Sequence, residues 1–176
     1  MTNRELEEYN KNRKIWQVCA ITSDLERTMQ QWVDKLKIGP WKVRSFNNEN
    51  MDWMYVGGKK VEEPWEMRIA ITMVGDFEFE IIQPVKGPTI YQDWLDRHGE
   101  GLHHFKEKIE DETRLAEVMK EWEDNGVPVL QSGKFFSDIH AYMGAEPYVG
   151  FIYELGNCPF IEVPEGMTRE FPYEDE

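Results

Sequence analysis

The sequence predicts an α+β protein built from two successive βαβββ units. Two apolar strands are each followed by an amphipathic helix and then by further strands, so the same order of elements occurs twice. Each helix has a single apolar stripe, so we expect both helices to pack outside the strands. The expected ranges are 1–13 for an N-terminal extension, 14–86 for the first unit, 87–100 for a linker with a short helix, 101–164 for the second unit, and 165–176 for an acidic tail.

Composition and charge limit the function. The chain has 176 residues, 40% of them hydrophobic, which is enough for a folded core, and its net charge is -14. That charge repels phosphate backbones and anionic membranes, so we expect neither nucleic acid nor membrane partners. No apolar run approaches the length of a membrane span, and the N-terminus is too polar for a signal peptide. Cys19 and Cys158 make no disulfide framework, which indicates a cytoplasmic location.

The first unit opens with a strand and a helix. Residues 14–22 alternate between two faces, and Gln17 is the polar side chain on an otherwise apolar face. Ser23 starts a capping-box pattern, and the apolar stripe that begins at Leu25 predicts a helix. Gly39 and the proline after it end that helix.

The rest of the first unit is predicted to be extended. Strands are expected at 41–46 and 65–74, and the segment between them, 47–64, is expected to form a hairpin or an irregular surface loop. A turn then leads into a strand that alternates phenylalanine with carboxylates, Glu78 and Glu80. This alternation places both carboxylates on one face of the sheet.

The second unit repeats this order after a short amphipathic helix in the linker. Residues 102–109 form its first expected strand, which carries His103 and His104, and a capped helix follows from Asp111 to Gly126. The remaining expected elements are a strand at 127–131, a loop at 132–145, a strand at 148–155 and a last strand at 158–163.

Four potential metal ligands occupy two pairs of equivalent positions. Gln17 and His104 lie in the first strands of the two units, and Glu80 and Glu162 lie in the last strands. Two carboxylates neutralise a divalent cation, and an amide oxygen and an imidazole add two further donors. Oxygen and nitrogen donors without a thiolate suit Zn, Ni, Co or Mn, and they do not choose between these metals.

Five segments carry a family resemblance. They are residues 17–26, 38–41, 80–84, 98–104 and 160–163. In these segments the chain resembles the vicinal oxygen chelate superfamily of glyoxalases, bleomycin resistance proteins and extradiol dioxygenases. It is most similar to methylmalonyl-CoA epimerase-like and glyoxalase I-like members.

The resemblance implies a fold and a metal site. The family pairs two βαβββ modules into a cup-shaped, eight-stranded mixed sheet with helices outside and one divalent metal ion inside. Carried over position by position, the ligands are Gln17, Glu80, His104 and Glu162. Epimerases of this type commonly have histidine at the first position, so Gln17 makes the set similar to that of zinc-type glyoxalase I. A homodimer is also expected, because dimers are common in the family.

The implied reaction is removal of a proton next to a carbonyl through a metal-stabilised enolate or enediolate, as in an isomerase, epimerase or lyase. Glu162 is the expected leading base and Glu80 its partner. Two alternatives stay open. An extradiol-type dioxygenase requires two histidines and one carboxylate, and Gln17 disfavours it. A non-catalytic protein that binds small molecules has no need of the matched carboxylates and imidazole.

Other residues are candidates for binding a small-molecule substrate. Glu78 shares a face with Glu80, and Lys106 shares one with His104. His103 is expected to pack away from the site, and the remaining histidines, at positions 98 and 140, are expected at the surface. The full set of substrate-binding candidates is Glu78, Lys106, Arg44, Arg68, Cys19 and Phe160.

Overall fold

A computed structural model describes residues 1–174 of the chain. In that range it has one sheet of eleven strands and five α-helices, so the α+β class is confirmed. None of these helices is both long enough and apolar enough to cross a membrane. The elements of the first half are α1 (Asn3–Asn10), β1 (Ile15–Ile21), α2 (Leu25–Gln31, continued by a π-helical turn Trp32–Leu36), β2 (Trp41–Asn47), β3 (Trp53–Val56), β4 (Lys59–Lys60), β5 (Glu66–Val74) and β6 (Phe77–Lys86).

The second half follows a short connecting helix and repeats the central pairing of the first. Its elements are α3 (Ile90–His98), β7 (Gly101–Lys108), α4 (Glu112–Asp124), β8 (Val129–Phe135), β9 (Asp138–Met143), α5 (Glu146–Val149), β10 (Ile152–Gly156) and β11 (Arg169–Phe171). The strand order is β11-β2-β5-β6-β1-β7-β10-β9-β8-β3-β4. β1 is parallel to β6, β7 is parallel to β10, and β1 and β7 are antiparallel neighbours at the centre.

The sheet has more strands than the eight expected. The segment 47–64 forms the β3–β4 hairpin, and β3 pairs with β8 of the other half. The segment Arg169–Phe171, in the expected tail, pairs with β2 and extends the opposite edge. β3, β4 and β11 therefore extend the two edges of the sheet, and β6, β1, β7 and β10 form its centre.

The helices α2 and α4 cover the face of the sheet that lies away from the candidate site. Leu25 and Met29 of α2 pack against apolar residues of β2, β5 and β6, including Ile81. Leu115 of α4 packs against β9 and β10, including Leu155. Since successive side chains of a strand point to opposite faces, the neighbours of Ile81 and Leu155 face the other side.

Three local predictions are wrong. The cap of α2 is Asp24, whose side chain accepts a hydrogen bond from the backbone N–H of Arg27, and Ser23 hydrogen-bonds to Glu100 instead. Residues 132–145, expected as a loop, form most of β8 and β9. Residues 158–163, expected as the last strand, are irregular. Cys158 has a φ of 47°, a left-handed backbone conformation that does not continue a strand.

Candidate functional site

Four buried polar side chains lie on the four central strands. Gln17 is on β1, Glu80 on β6, His104 on β7 and Glu154 on β10, and none is more than 8% exposed. A polar group in such a position needs a partner, because burial removes its hydrogen bonds to water. These four side chains therefore form the polar centre of the sheet.

Three oxygen atoms converge on one nitrogen, Nε2 of His104. Glu154 Oε2 lies 2.9 Å from it, Gln17 Oε1 3.4 Å and Glu80 Oε2 3.5 Å. Ligands bound at about 2 Å to one ion lie about 3 Å apart when they occupy adjacent coordination positions. The spacing around His104 therefore matches that of donors that share a metal ion.

Each of the two carboxylates also has one oxygen that is buried away from solvent. Oε2 of Glu80 and Oε2 of Glu154 are sealed from solvent, and within residues 1–174 the side-chain nitrogen that both of them face is Nε2 of His104. Buried carboxylate oxygens normally have hydrogen-bond partners or bind a cation. The donor set of one amide oxygen, two carboxylates and one imidazole thus fits a divalent metal ion.

A neighbouring carboxylate orients the amide of Gln17. Its Nε2 donates a 2.6 Å hydrogen bond to Oε1 of Glu78, which turns Oε1 of the amide toward His104. Burial raises the pKa of Glu78, and the charge of Glu80 raises it further. Glu78 thus supports the site by fixing the direction of the Gln17 amide.

His103 orients His104 from the other side. The two Nδ1 atoms lie 2.7 Å apart, so one of them must carry the proton and the other must accept it. For Nε2 of His104 to bind a cation, its Nδ1 must be the donor. His103 packs in the core against Tyr91 and Trp94, but beside His104 and not away from it as expected, and burial lowers its pKa so that it stays neutral.

Lys106 forms a buried ion pair with one of the carboxylates. Its Nζ lies 2.9 Å from Oε1 of Glu154, and both residues are buried. Burial alone would raise the pKa of Glu154, but the charges of Lys106 and His104 lower it to about 2. Glu154 is therefore held as a carboxylate, with one oxygen on Lys106 and the other facing His104.

Comparisons with known proteins identify the family of the chain and proteins of similar fold. A family model described as the glyoxalase/bleomycin resistance protein/dioxygenase superfamily matches residues 16–142. The chain belongs to this superfamily. No curated protein sequence matches significantly. The matched segment contains Gln17, Glu80 and His104 and stops before Glu154.

Solved structures show the same superfamily fold at low sequence identity. A hypothetical protein from Bacillus halodurans C-125 has a TM-score of 0.63 and 15% identity, over 87% of this chain and 99% of that one. The methylmalonyl-CoA epimerase of Mycobacterium tuberculosis has a TM-score of 0.56 and 15% identity, over 81% and 85%. A single-residue variant of the Streptomyces coelicolor methylmalonyl-CoA epimerase, in complex with 2-nitronate-propionyl-CoA, has a TM-score of 0.56 and 18% identity, over 86% and 98%.

Glu162, the expected fourth ligand and leading base, is not at the polar centre. It is exposed on the irregular segment after β10, and the residues that line the cavity there are its neighbours Ile161 and Val163. Because the strand ends at Gly156, the alternation that the prediction assumed does not reach Glu162.

Strand pairing identifies Glu154 as the position equivalent to Glu80. Gln17 pairs with Glu78, and Glu80 lies two residues further along β6. In the same way His104 pairs with Ile152, and Glu154 lies two residues further along β10. A sequence signal for Glu154 exists, since it is the only charged residue from Gly150 to Asn157.

The remaining substrate-binding candidates divide between the cavity and the surface. Arg44 lines the cavity, whereas Arg68 forms an ion pair with Glu26 of α2 on the opposite face. Cys19 is fully buried next to Glu80 and His104, and Phe160 is 94% exposed. Arg44 and Cys19 therefore belong to the site region, and Arg68 and Phe160 do not.

The cavity beside the polar centre has a volume of about 230 Å³. One side is apolar, with residues of β2, β5 and β8, and the other is charged. Its charged and histidine lining residues are Arg44, Glu78, Glu80, Lys106, Asp138, His140 and Glu154. Asp138 and His140 were not among the expected site residues, because their segment had been interpreted as a surface loop.

Proposed function

We propose that the protein is a metal-dependent isomerase or epimerase of the glyoxalase type that moves a proton next to a carbonyl group of a small acid. The convergence of Gln17, Glu80 and Glu154 on Nε2 of His104, in the wall of a cavity, supports this proposal most strongly. These four residues would hold the ion. A bound divalent ion would polarise the substrate carbonyl and stabilise the negative charge that develops as the proton leaves.

Glu80 is the proposed base. Glu80 lines the cavity, its ion-pair partner among residues 1–174 is His104 and not a lysine or arginine, and its partner across the β1–β6 pairing is Cys19. The C–H bond of the substrate breaks, its electron pair moves toward the carbonyl, and the carboxylate takes the proton. Glu154 is not suited to this step, because Lys106 holds it in an ion pair.

Cavity size and charge indicate the class of substrate. A volume of about 230 Å³ is below the usual range for drug-sized ligands and suits a compact molecule. Arg44 donates from Nε to Oγ1 of Thr168, and the charge of Glu78 acts on it without a recorded ion pair between the two among residues 1–174. We propose that Arg44 binds the carboxylate of the substrate, since a guanidinium binds this group well.

A small acid is favoured over a coenzyme A thioester. The cavity lining has two cations, Arg44 and Lys106, and Lys106 is already paired with Glu154. Coenzyme A carries several phosphate charges, which a chain of net charge -14 repels unless cations gather at the entrance. Methylmalonyl-CoA, which the epimerase neighbours bind, therefore serves as the comparison substrate in the test.

The two alternative functions receive less support. Within the described chain the polar centre contains one histidine, because His103 is turned toward Tyr91 and Trp94, whereas dioxygenase chemistry requires two. A protein that only stores a small molecule has no use for two buried carboxylates aimed at an imidazole. A homodimer, a lyase reaction and a cytoplasmic location remain predictions.

The test is solvent deuterium incorporation at the α-carbon. Lactate, mandelate and methylmalonyl-CoA are incubated in deuterated buffer with protein loaded with Zn²⁺ or Mn²⁺, and exchange is followed by mass spectrometry. We expect exchange into at least one small acid, its loss in EDTA, and its loss in Glu80→Gln. Glu162→Gln is the matched control and should exchange at the wild-type rate. Absence of exchange from all three compounds, or exchange that persists in Glu80→Gln, would contradict the proposal.

A further inference from the structure

His140 lies in the wall of the cavity and not at the surface. It is 9% exposed, on the strand β9 that pairs with β10, and it lines the same cavity as Glu80. Glu80 belongs to β6, in the other half of the sheet, and β1, β7 and β10 lie between β6 and β9. A substrate in the cavity therefore has Glu80 in one half of its lining and His140 in the other.

Asp138 fixes the orientation of the His140 ring. Its Oδ2 lies 2.8 Å from Nδ1 of His140. Burial alone would raise the pKa of Asp138, but the charge of Lys106 and the hydrogen bond with His140 lower it strongly. An ionised Asp138 accepts a proton from Nδ1, so Nε2 is the nitrogen left for exchange with a ligand. An aspartate behind a histidine is a common arrangement for proton transfer.

The Nε2 atom of His140 has no protein partner. No hydrogen bond to it occurs in residues 1–174, and it is not among the sealed, unsatisfied side-chain atoms of that range. A solvent-accessible ring nitrogen that lacks a protein partner, on a residue that lines a cavity, is available to a bound molecule. This distinguishes His140 from His103, whose Nε2 is sealed in the core.

A glycine on the neighbouring strand makes room for this ring. Gly133 pairs with His140, and a Cβ at Gly133 would lie 2.5 Å from Nε2 and 2.9 Å from Cε1. Its φ is outside the left-handed region, so the backbone conformation does not require glycine. Glycine inside a strand weakens the strand and often marks a close approach. Glycine at position 133 therefore leaves the space that the ring of His140 occupies.

We propose that His140, oriented by Asp138, is the second proton-transfer residue of the reaction and acts from the side of the substrate opposite Glu80. The inference rests on the proposed function, in which epimerisation requires proton removal on one face of a carbon and delivery on the other. Glu80 takes the proton as the C–H bond breaks, and the imidazolium of His140 gives its Nε2 proton as the new C–H bond forms. Solvent exchange then returns a proton to His140 and removes one from Glu80.

Epimer-specific exchange tests this assignment. Wild-type protein and His140→Gln are incubated in deuterated buffer with the separate R and S forms of lactate, mandelate and methylmalonyl-CoA. In His140→Gln we expect exchange of one epimer to fall at least ~100-fold, and exchange of the other to change less than ~3-fold, because Glu80 still acts on its own face. Asp138→Asn should show the same one-sided loss to a smaller degree. Gly133→Ala should also cause a one-sided loss of exchange, because the added methyl group displaces the imidazole of His140 without removing it.

A labelling measurement gives a readout independent of turnover. Diethyl pyrocarbonate is added to metal-free protein, and the modified histidines are identified by mass spectrometry. We expect rapid modification of His140, none of His103, and slower modification of His140 in Asp138→Asn. For the exchange experiment, His98→Gln is the matched control, because His98 is exposed. This variant should catalyse deuterium exchange into both epimers at the wild-type rate.

The outcomes separate this inference from the proposed function. If exchange into both epimers fell equally, or did not fall, in a folded His140→Gln protein, the role of His140 would be overturned and the proposed function would stay intact. Failure of His140 to react with the reagent would do the same. Absence of exchange from every compound in wild type would overturn the proposed function and this inference with it. One-sided loss together with selective labelling supports the assignment.

Discussion

The two halves of the sheet supply equivalent carboxylates in different surroundings. In the first half Glu80 pairs across β6 and β1 with Cys19, and in the second half Glu154 pairs across β10 and β7 with Lys106. The same strand geometry thus places a thiol next to one carboxylate and an ammonium group next to the other.

This difference separates two roles that a symmetric site would share. Burial raises the pKa of the Cys19 thiol, and the charge of Glu80 raises it further, so the thiol stays neutral and adds no positive charge beside Glu80. Lys106 compensates the charge of Glu154 directly. Under the proposed function, this difference would hold Glu154 as a fixed ligand and leave Glu80 as the carboxylate that reacts with the substrate.

Removal of Lys106 should have the largest effect. Lys106→Met leaves the Glu154 charge buried without its partner and should lower the free energy of unfolding by about 3–5 kcal/mol. Urea unfolding in EDTA at pH 7 measures this. Lys108→Met, which removes a lysine two residues along the same strand, is the control and should leave the midpoint nearly unchanged. Equal midpoints for the two variants would show that the ion pair does not stabilise the second half.

The pH dependence of stability in wild type and in Lys106→Met sharpens this comparison. The pKa of Glu154 is lowered from 4.5 to about 2 in the folded protein, so its contribution to stability is present above pH 4.5 and lost as the pH falls through about 2. In Lys106→Met that contribution should shrink. Urea midpoints between pH 7 and the lowest pH at which the protein folds would measure it, and identical pH slopes would contradict it.

Loss of the shared imidazole should affect both halves equally. His104→Ala removes the donor on which all three oxygens converge, and metal affinity should fall at least ~100-fold. Titration calorimetry with Zn²⁺ or Mn²⁺ gives the affinity, with His98→Ala as the control. Retention of wild-type affinity in His104→Ala would mean that the ion, if bound, lies elsewhere.

Protons should compete with metal at His104. Burial alone would lower the pKa of His104, but the charges of Glu154 and Glu80 raise it above its usual 6.5. Below that raised pKa a metal ion must displace a proton, so affinity should fall by up to tenfold per pH unit. Manganese titrations between pH 5 and 8 test this, and an affinity independent of pH would count against His104 as a ligand.

A glycine beside Lys106 should matter in the second half. A Cβ at Gly156 would lie 2.6 Å from Cε of Lys106, so Gly156→Ala should displace the lysine and cost about 1–2 kcal/mol. In a Lys106→Ala background the same substitution should cost less, because the displaced side chain is gone. Urea unfolding of the four proteins gives the coupling, and strict additivity would show that the glycine does not serve Lys106.

The smallest effect is expected at the equivalent position of the first half. Cys19→Ala should change metal affinity less than ~3-fold, because the four nitrogen and oxygen donors suffice. Its stability should fall by about 1 kcal/mol from lost packing. The thiol lies close to Glu80 and His104, so a large loss of affinity would make Cys19 a ligand and alter the comparison.

Sequence periodicity predicted the parts of the fold in which one face is apolar. The alternation in β1 and the stripes of α2 and α4 are of this kind. The second part of β8 and all of β9 were predicted as a loop, because this cavity wall contains small and polar residues such as Gly133 and His140. The strand expected at 158–163 was wrong because its apolar pattern does not show the left-handed backbone conformation of Cys158.

The same limits apply to the candidate site. Gln17, Glu80 and His104 stood out as polar residues in apolar strands, and the structure brings their side chains together. The structure places Glu154 in this cluster and Glu162 outside it. Glu162 satisfied the expected alternation, whereas Glu154 lies in a strand that starts later than expected. Strand pairing, which depends on the register of the whole sheet, is what identifies Glu154.

One measurement tests the central claim, that equivalent carboxylates of the two halves hold a single metal ion. Zinc or manganese affinity is determined for wild type, Glu80→Ala, Glu154→Ala and Glu162→Ala, with folding checked by circular dichroism. We predict one ion per chain in wild type and in Glu162→Ala at equal affinity, and a loss of at least ~100-fold in each of the other two. Wild-type affinity in Glu154→Ala, together with loss in Glu162→Ala, would contradict the account.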